Sequence, residues 1–197
     1  MKYELNPITS DCYDGTSCLI NKLNIKDEKI LDQIEADITF AKTAELESIP
    51  IDGSFDTDHY KAIHKYLFED LYDWAGEFRT VNLSKKGTNF ADYNEIKTLC
   101  DKTFDRIKLL NYYQGLSFSD FINEIVDLYC CLNMIHPFRE GNGRTQRIFI
   151  AQIIRYNKYR INFSKIDKDL LMIATIQSAQ GVTDNLRKIF EQNIKNS

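Results

Sequence analysis

Apolar residues along this chain recur mostly at steps of three and four. Leu31, Ile34, Ile38 and Ala41 predict an amphipathic helix over 27–47, with Asp27 placed to cap its start. Pro50 and Gly53 in ESIPIDGSFD then break the pattern. A second helix follows, with Tyr60, Ile63, Leu67 and Leu71 on one face, and residues 94–111 predict a third. Phe121, Ile125, Leu128 and Leu132 mark a fourth. Near the end Asp167 can cap a helix running to Gln180. Gly181 punctuates it, and Thr183 or Asp184 can start the last.

One stretch has a different period. GEFRTVNLSKKGTNFAD, Gly76 to Asp92, places β-formers in rough alternation before a turn at Gly87, which predicts a short β-hairpin. A lone hairpin is marginal in water, so this one must lean on the helices or act as a flap. No repeat, low-complexity tract or interdomain linker interrupts the chain. The expected fold is mainly α, a helical bundle with one small β-hairpin.

Composition narrows the setting. A length of 197 residues suits one domain with a substantial core, and a net charge of −4 argues against a broad nucleic-acid footprint. Five cysteines, Cys12, Cys18, Cys100, Cys130 and Cys131, have no CxxC spacing, so a disulfide framework or zinc site is not expected. The N-terminus lacks an apolar signal core and no apolar run is long enough to span a bilayer. A soluble, cytoplasmic protein with no membrane partner is the expectation.

The chemistry concentrates in HPFREGNGRTQR, His136 to Arg147. Pro137 makes continuation of the fourth helix past His136 unfavourable, and the apolar pairs Phe149/Ile153 and Ile150/Ile154 start another helix inside the motif. The Gly141-Asn142-Gly143 turn therefore lies at a helix N-terminus, where free N–H groups and the positive dipole end bind anions. Asn142 adds an amide donor. Arg144 and Arg147 are three apart and project from one face, suiting a polyphosphate. Glu140 beside an anion site is best explained by a cation between them, as in carboxylate–Mg²⁺–phosphate bridging. His136 titrates near neutrality and can take a proton from an attacking hydroxyl. Singly these residues are turns, core anchors and solvated arginines. Together they read as a phosphoryl or nucleotidyl transfer site, with the transferred group left open.

HPFREGNGRTQR resembles the HPFx[D/E]GNGRxxR signature of the Fic (filamentation induced by cAMP) family at every specified position. FDTDHYKAIHKYLFEDLYDWAGEFRTV and KKGTNFA resemble the segment and flap upstream of it. YDGTSCLINKLNI and the helix ending in AKTAEL resemble the N-terminal part of short bacterial Fic toxins, so roughly the first 165 residues are covered. The resemblance implies a single Fic domain over 1–197, with an N-terminal helical segment (1–50), a core (51–165) and C-terminal helices (166–197). It implies AMP transfer from ATP to a Ser, Thr or Tyr hydroxyl of a target protein. His136 would be the base and Glu140 the Mg²⁺ ligand. Gly141, Asn142 and Gly143 would cradle the α- and β-phosphates, with the Asn142 side chain on the α-phosphate. Arg144 and Arg147 would hold the β- and γ-phosphates, and Phe138 would anchor the loop. Doc kinases, which are similar, carry Lys where this chain has Gly143, so Gly143 favours AMP transfer. Thr80, Val81, Asn82, Leu83, Lys85, Lys86, Gly87, Thr88 and Asn89 would form the flap that docks the target as an added strand.

Regulation and partners follow from the same resemblance. Many Fic proteins are inhibited by a [S/T]xxxE[G/N] helix whose Glu meets the second motif arginine, here Arg147. Only Thr43 to Ser48 comes near, with Glu47 as the candidate and Ser48 departing from the pattern. Short toxins imply instead a separate small antitoxin acting in trans, with a type II topoisomerase subunit as a plausible target. The alternatives are a Doc-like phosphotransferase or a non-catalytic nucleotide-binding module. Elsewhere His64 reads as a structural histidine, His59 as exposed and Trp74 as packing at a helix end.

Overall fold

Helix α1 (Glu28–Ser48) starts where expected, because Asp27 takes the amides of Lys29 and Ile30 on its carboxylate. The computed structural model describes residues 11–85 and 87–197. Helix α2 (Thr57–Phe68) is capped by Asp56 and buries Tyr60, Ile63 and Leu67; Leu71 lies past its end but is equally buried. Helix α3 (Ile96–Leu109) begins later than its apolar pattern suggests. Asp92 caps a 3₁₀ turn over Tyr93–Glu95 first.

Helix α4 (Phe118–Ile135) is apolar on most of its circumference and runs through the centre, packed by α3, α5 (Asn142–Tyr156), α6 (Lys168–Ser178) and α7 (Asp184–Asn193). α5 also packs on α2, so α4, α5 and the loop joining them form the axis of the molecule. The loop and the first turns of α5 carry the HPFREGNGRTQR motif. Its position at one end of the two most central helices ties its geometry to the core. Asp167 caps α6, Thr183 precedes α7, and Gly181 between them has φ +86°.

The hairpin is shorter than expected. β1 (Ser84–Lys85) pairs antiparallel with β2 (Thr88–Asn89) across a turn containing Gly87 at φ +76°. Residues 78–83, which alternate like a strand, are irregular instead. Their bonds are to varied partners instead of one strand: the Arg79 amide donates to the Pro137 carbonyl, the Leu83 carbonyl accepts the Phe90 amide, the Asn82 side chain bonds Asp92 and the Tyr93 amide, and the buried Arg79 guanidinium reaches carbonyls of three segments. Lys86 lies outside the described residues. A second pair, β3 (Tyr159–Arg160) with β4 (Lys195–Asn196), ties the chain end to the exit of α5. Two-residue strands carry no readable period, so sequence pattern missed it.

Candidate active site

His136 ends α4 in the left-handed conformation, φ 47° and ψ 59°, with Pro137 barring further helix. Its ring is buried and stacks on Phe90 with centroids 3.8 Å apart. Nδ1 lies 3.1 Å from the Asn133 carbonyl, which can only accept, so Nδ1 carries the proton and Nε2 the lone pair. Burial pushes the imidazole pKa down to about 3; the Asn133 bond opposes this, and the positive charges of Lys85 and Arg79 reinforce it. The ring is therefore neutral at physiological pH and ready to accept a proton.

The loop after it is clasped from within. Phe138 is fully buried and stacks on His64 at 3.8 Å. The Asn142 side chain accepts from the Phe138 amide at 2.8 Å and donates to the Phe138 carbonyl at 2.7 Å. The Asn142 side chain is thus a loop clasp, and its amide nitrogen has a second N–H that these bonds do not use. Among the described residues the Asn142 and Gly143 amides meet no protein acceptor, as expected at a helix N-terminus open to an anion. Gly141 is required twice: its φ is +76°, and a Cβ there would lie 2.1 Å from the Phe68 ring.

Glu140 accepts the Gly141 amide on one carboxylate oxygen at 2.9 Å and stands 3.6 Å from Arg144. Its carboxylate borders the same cleft as the open amides and both arginines. One carboxylate facing a phosphate site fits Mg²⁺, which keeps waters and draws its other ligands from phosphate oxygens.

The two arginines differ. Arg144 is fixed on every side: Glu35 at 2.5 Å, Thr39 Oγ1 at 3.0 Å, and the Phe68 ring beneath it at 4.8 Å. Glu35 is itself buried and accepts the Tyr72 hydroxyl at 2.5 Å. Arg147 meets no carboxylate within ion-pair distance among the described residues, and burial pushes its pKa down. A partly buried cation without a counter-charge is costly. An anionic ligand removes that cost.

His136, Glu140, Gly141, Gly143, Arg144 and Arg147 line one cleft of about 1080 Å³. Its walls are the motif loop and α5, the C-terminal half of α1, the flap (Lys85, Thr88 and Phe90) and an apolar side from Ile161, Phe163, Leu171 and Met172. The volume is ample for a nucleotide. Glu47 also borders the cleft; its side chain is exposed, makes no ion pair with Arg147, and its carbonyl accepts from Arg155 at 3.0 Å. Of the flap residues, Lys85 and Thr88 face the cleft, whereas Leu83 is buried and Thr80 is exposed.

Sequence reasoning misplaced His59 and missed several supports. His59 is 4% exposed, not a surface residue; its ring faces the Ile51 carbonyl at 3.0 Å and fills the space left by Gly53. His64 is structural as expected, taking the Gly76 amide on Nδ1 and donating from Nε2 to the Glu140 carbonyl. Trp74 is half-buried and stacks on Tyr72 beyond the end of α2. Glu35, Thr39, Tyr72, Arg79 and Phe90 carried no local signal, because their partners are distant in the chain. Glu35 and Thr39 at i, i+4 on α1 were the one available hint.

The Fic/DOC family model matches residues 54–154. Over 179 residues the chain is 35% identical to the protein adenylyltransferase VbhT of Bartonella schoenbuchensis, covering 91% of this chain but only 37% of that protein. It is 35% identical over 172 residues to y4lH of Sinorhizobium fredii, named a probable protein adenylyltransferase, spanning 86% of this chain and 88% of that one. Among solved structures, BepC of Bartonella tribocorum with bound AMPPNP superposes with TM-score 0.89 at 27% identity, over 95% of this chain and 97% of that one. An N-terminal Fic domain from Bartonella quintana with bound ADP gives TM-score 0.89 at 28% identity over 95% of each chain. A helix-capping histidine, an open amide nest and paired arginines on this fold, with these similarities, make the chain a member of the Fic/DOC family.

Proposed function

We propose that this chain is a protein adenylyltransferase that moves AMP from Mg²⁺-ATP to a Ser, Thr or Tyr hydroxyl of a target protein. The observation that carries the reading is Arg147: a partly buried guanidinium that meets no carboxylate among the described residues, beside open helix-start amides and on the same cleft as a neutral histidine. The names of VbhT and y4lH, and the AMPPNP and ADP in the Bartonella structures, support a nucleotide donor.

In this reading Nε2 of His136 takes the proton of the target hydroxyl as its oxygen bonds the α-phosphorus. The α–β bridging P–O bond breaks and pyrophosphate leaves. The Asn142 and Gly143 amides and the Arg144 and Arg147 guanidinium groups hold the phosphates and stabilise the charge gathering on the leaving group. Mg²⁺ held by Glu140 would neutralise phosphate charge in the same place. Gly143 supports α- over γ-transfer, because the similar Doc kinases carry Lys at the corresponding place. The Ser84–Asn89 hairpin borders the cleft and serves as the target's docking edge. The chain acts in the cytoplasm as the toxin of a toxin–antitoxin pair, silenced in trans by a small antitoxin, with a type II topoisomerase subunit as the first target to try.

The test mixes purified chain, Mg²⁺ and a bacterial lysate with ATP labelled at either the α- or the γ-phosphate. Label from the α position alone, lost in His136→Ala, supports the proposal. Label from the γ position alone makes the protein a Doc-like kinase. ATP binding with no transfer from either position leaves a non-catalytic nucleotide module.

A further inference from the structure

Arg79 belongs to neither the phosphate cradle nor the flap strands, yet it is 4% exposed and its guanidinium donates to four backbone carbonyls. Nε reaches the His136 carbonyl at 2.8 Å and Nη2 the Ile135 carbonyl at 3.2 Å, the last carbonyls of α4. Nη2 also takes the Ala91 carbonyl at 2.6 Å, and Nη1 the Val81 carbonyl at 2.5 Å. Val81 precedes β1 and Ala91 follows β2, so one side chain grips both feet of the hairpin and the backbone of the base. Two main-chain bonds run beside it, from the Arg79 amide to the Pro137 carbonyl at 2.8 Å and from the Ala91 amide to the Met134 carbonyl at 3.0 Å. Phe90, next to Ala91, stacks on the His136 ring. A planar five-donor fork fills this arrangement; a lysine ammonium, with three donors on a flexible stem, cannot reproduce it.

We infer that Arg79 is a positioning residue that holds the hairpin in register with His136, so that a hydroxyl presented on the hairpin edge meets Nε2. The inference rests on the adenylyl-transfer reading for what is presented. Its structural content is the coupling itself. The bonds of the Arg79 guanidinium among the described residues run to Val81, Ala91, Ile135 and His136, whereas Arg144 and its partner Glu35 on the nucleotide side lie on α5 and α1, so the two halves of the site are expected to separate on mutation.

The test compares wild type with Arg79→Met and Arg79→Lys in three measurements: ADP–Mg²⁺ affinity by calorimetry, transfer from α-labelled ATP to lysate protein, and backbone hydrogen exchange. For Arg79→Met the expected result is ADP affinity within about twofold of wild type and transfer down on the order of 100-fold, as for a base displaced by about an ångström. Exchange is expected to rise at least about tenfold over 81–91 and 134–137, but not in the core of α5. Arg79→Lys is expected to recover part of both losses, and it carries the same measurements should Arg79→Met fail to fold. ADP affinity falling in step with transfer, or exchange rising throughout the chain, overturns the inference in favour of a general staple. Unchanged transfer in a folded variant overturns it too. If wild type transfers nothing, the adenylyl-transfer reading fails by itself. The exchange pattern then decides the coupling, and no local rise sinks it.

Discussion

Glu35 and Arg144 are 109 residues apart in sequence, and their side chains meet at 2.5 Å inside the fold. The contact joins α1 to the first turn of the motif helix, with Tyr72 hydrogen-bonded to the other carboxylate oxygen. An arginine held in this way is oriented before any phosphate arrives, which reduces the ordering cost of binding.

Glu35→Gln should therefore both destabilise and weaken nucleotide binding. Breaking one side of a buried pair costs about 3–5 kcal/mol, and the partly exposed Arg144 places this case at or below the lower end. Tyr72→Phe removes one hydrogen bond to a charged group and should cost about 1.5–3 kcal/mol with little effect on ADP affinity. Chemical denaturation and ADP calorimetry on both variants check this. Equal loss of ADP affinity in the two would mean that Arg144 is not being oriented by Glu35.

Gly141→Ala should be among the most damaging single changes in the chain. The left-handed backbone adds about 1–2 kcal/mol, and contact with Phe68 adds about 1–3 kcal/mol of overpacking. Adding Phe68→Leu should recover only the packing part, since the backbone strain stays. A thermal melt of the single and double variants separates the two.

The pH dependence below neutrality owes most to three buried histidines, His59, His64 and His136, each with its pKa lowered by burial. Burial holds both His136 and His64 at about 3, below the value near 6.5 for an unfolded chain. Between those values the unfolded state binds more protons, so stability rises with pH there. It is fully present above about 6.5 and is lost as pH falls toward 3. Denaturant midpoints measured from neutral pH downward should show this slope, and His64→Gln should flatten it. Transfer should respond differently: a base with an ordinary pKa would lose about tenfold between neutrality and about pH 5.5, whereas His136 should stay within about threefold. A tenfold loss would show that the ring is more hydrated during turnover than its burial indicates.

Helix starts and stops were legible because each is decided locally. Asp27 and Asp167 cap with their own side chains, and Pro137 ends α4 by its ring alone. The candidate site was legible for a similar reason: twelve consecutive residues carry the histidine, the helix-start glycines, the carboxylate and both arginines that line one cleft. What escaped depends on contacts across the fold. FRTVNL looked like a strand because alternation is a local property, whereas the bonds that replace pairing come from Arg79 and distant carbonyls. His59 looked exposed because nothing nearby in sequence shows that Phe149 and Phe55 close over it. The clasp that Asn142 makes on the Phe138 backbone was not legible either, because it depends on how the loop folds back on itself.

Glu140→Gln should separate metal dependence from nucleotide binding. The amide keeps the shape and can still accept the Gly141 N–H, but it removes the charge that suits a divalent cation beside phosphates. Transfer at saturating ATP should fall by about 100-fold or more, while ATP affinity measured without Mg²⁺ should hold or improve because one carboxylate no longer repels the phosphates. Equal loss of affinity with and without Mg²⁺ would remove Glu140 from the metal and leave it a role in shaping the loop.

Glu47 decides whether this chain restrains itself. It borders the cleft at the end of α1, but it is exposed and makes no ion pair with Arg147. A carboxylate so placed competes weakly for a guanidinium that polyphosphate can bind through several oxygens. Glu47→Gly should therefore leave transfer from α-labelled ATP within about twofold of wild type, because an exposed ion pair contributes on the order of 0–1 kcal/mol. A gain of tenfold or more would place Glu47 over the γ-phosphate position and make a separate antitoxin unnecessary. An unchanged rate in an active chain removes self-inhibition through Glu47 and leaves the proposed inhibition in trans, under which a small antitoxin should silence wild type and Glu47→Gly alike.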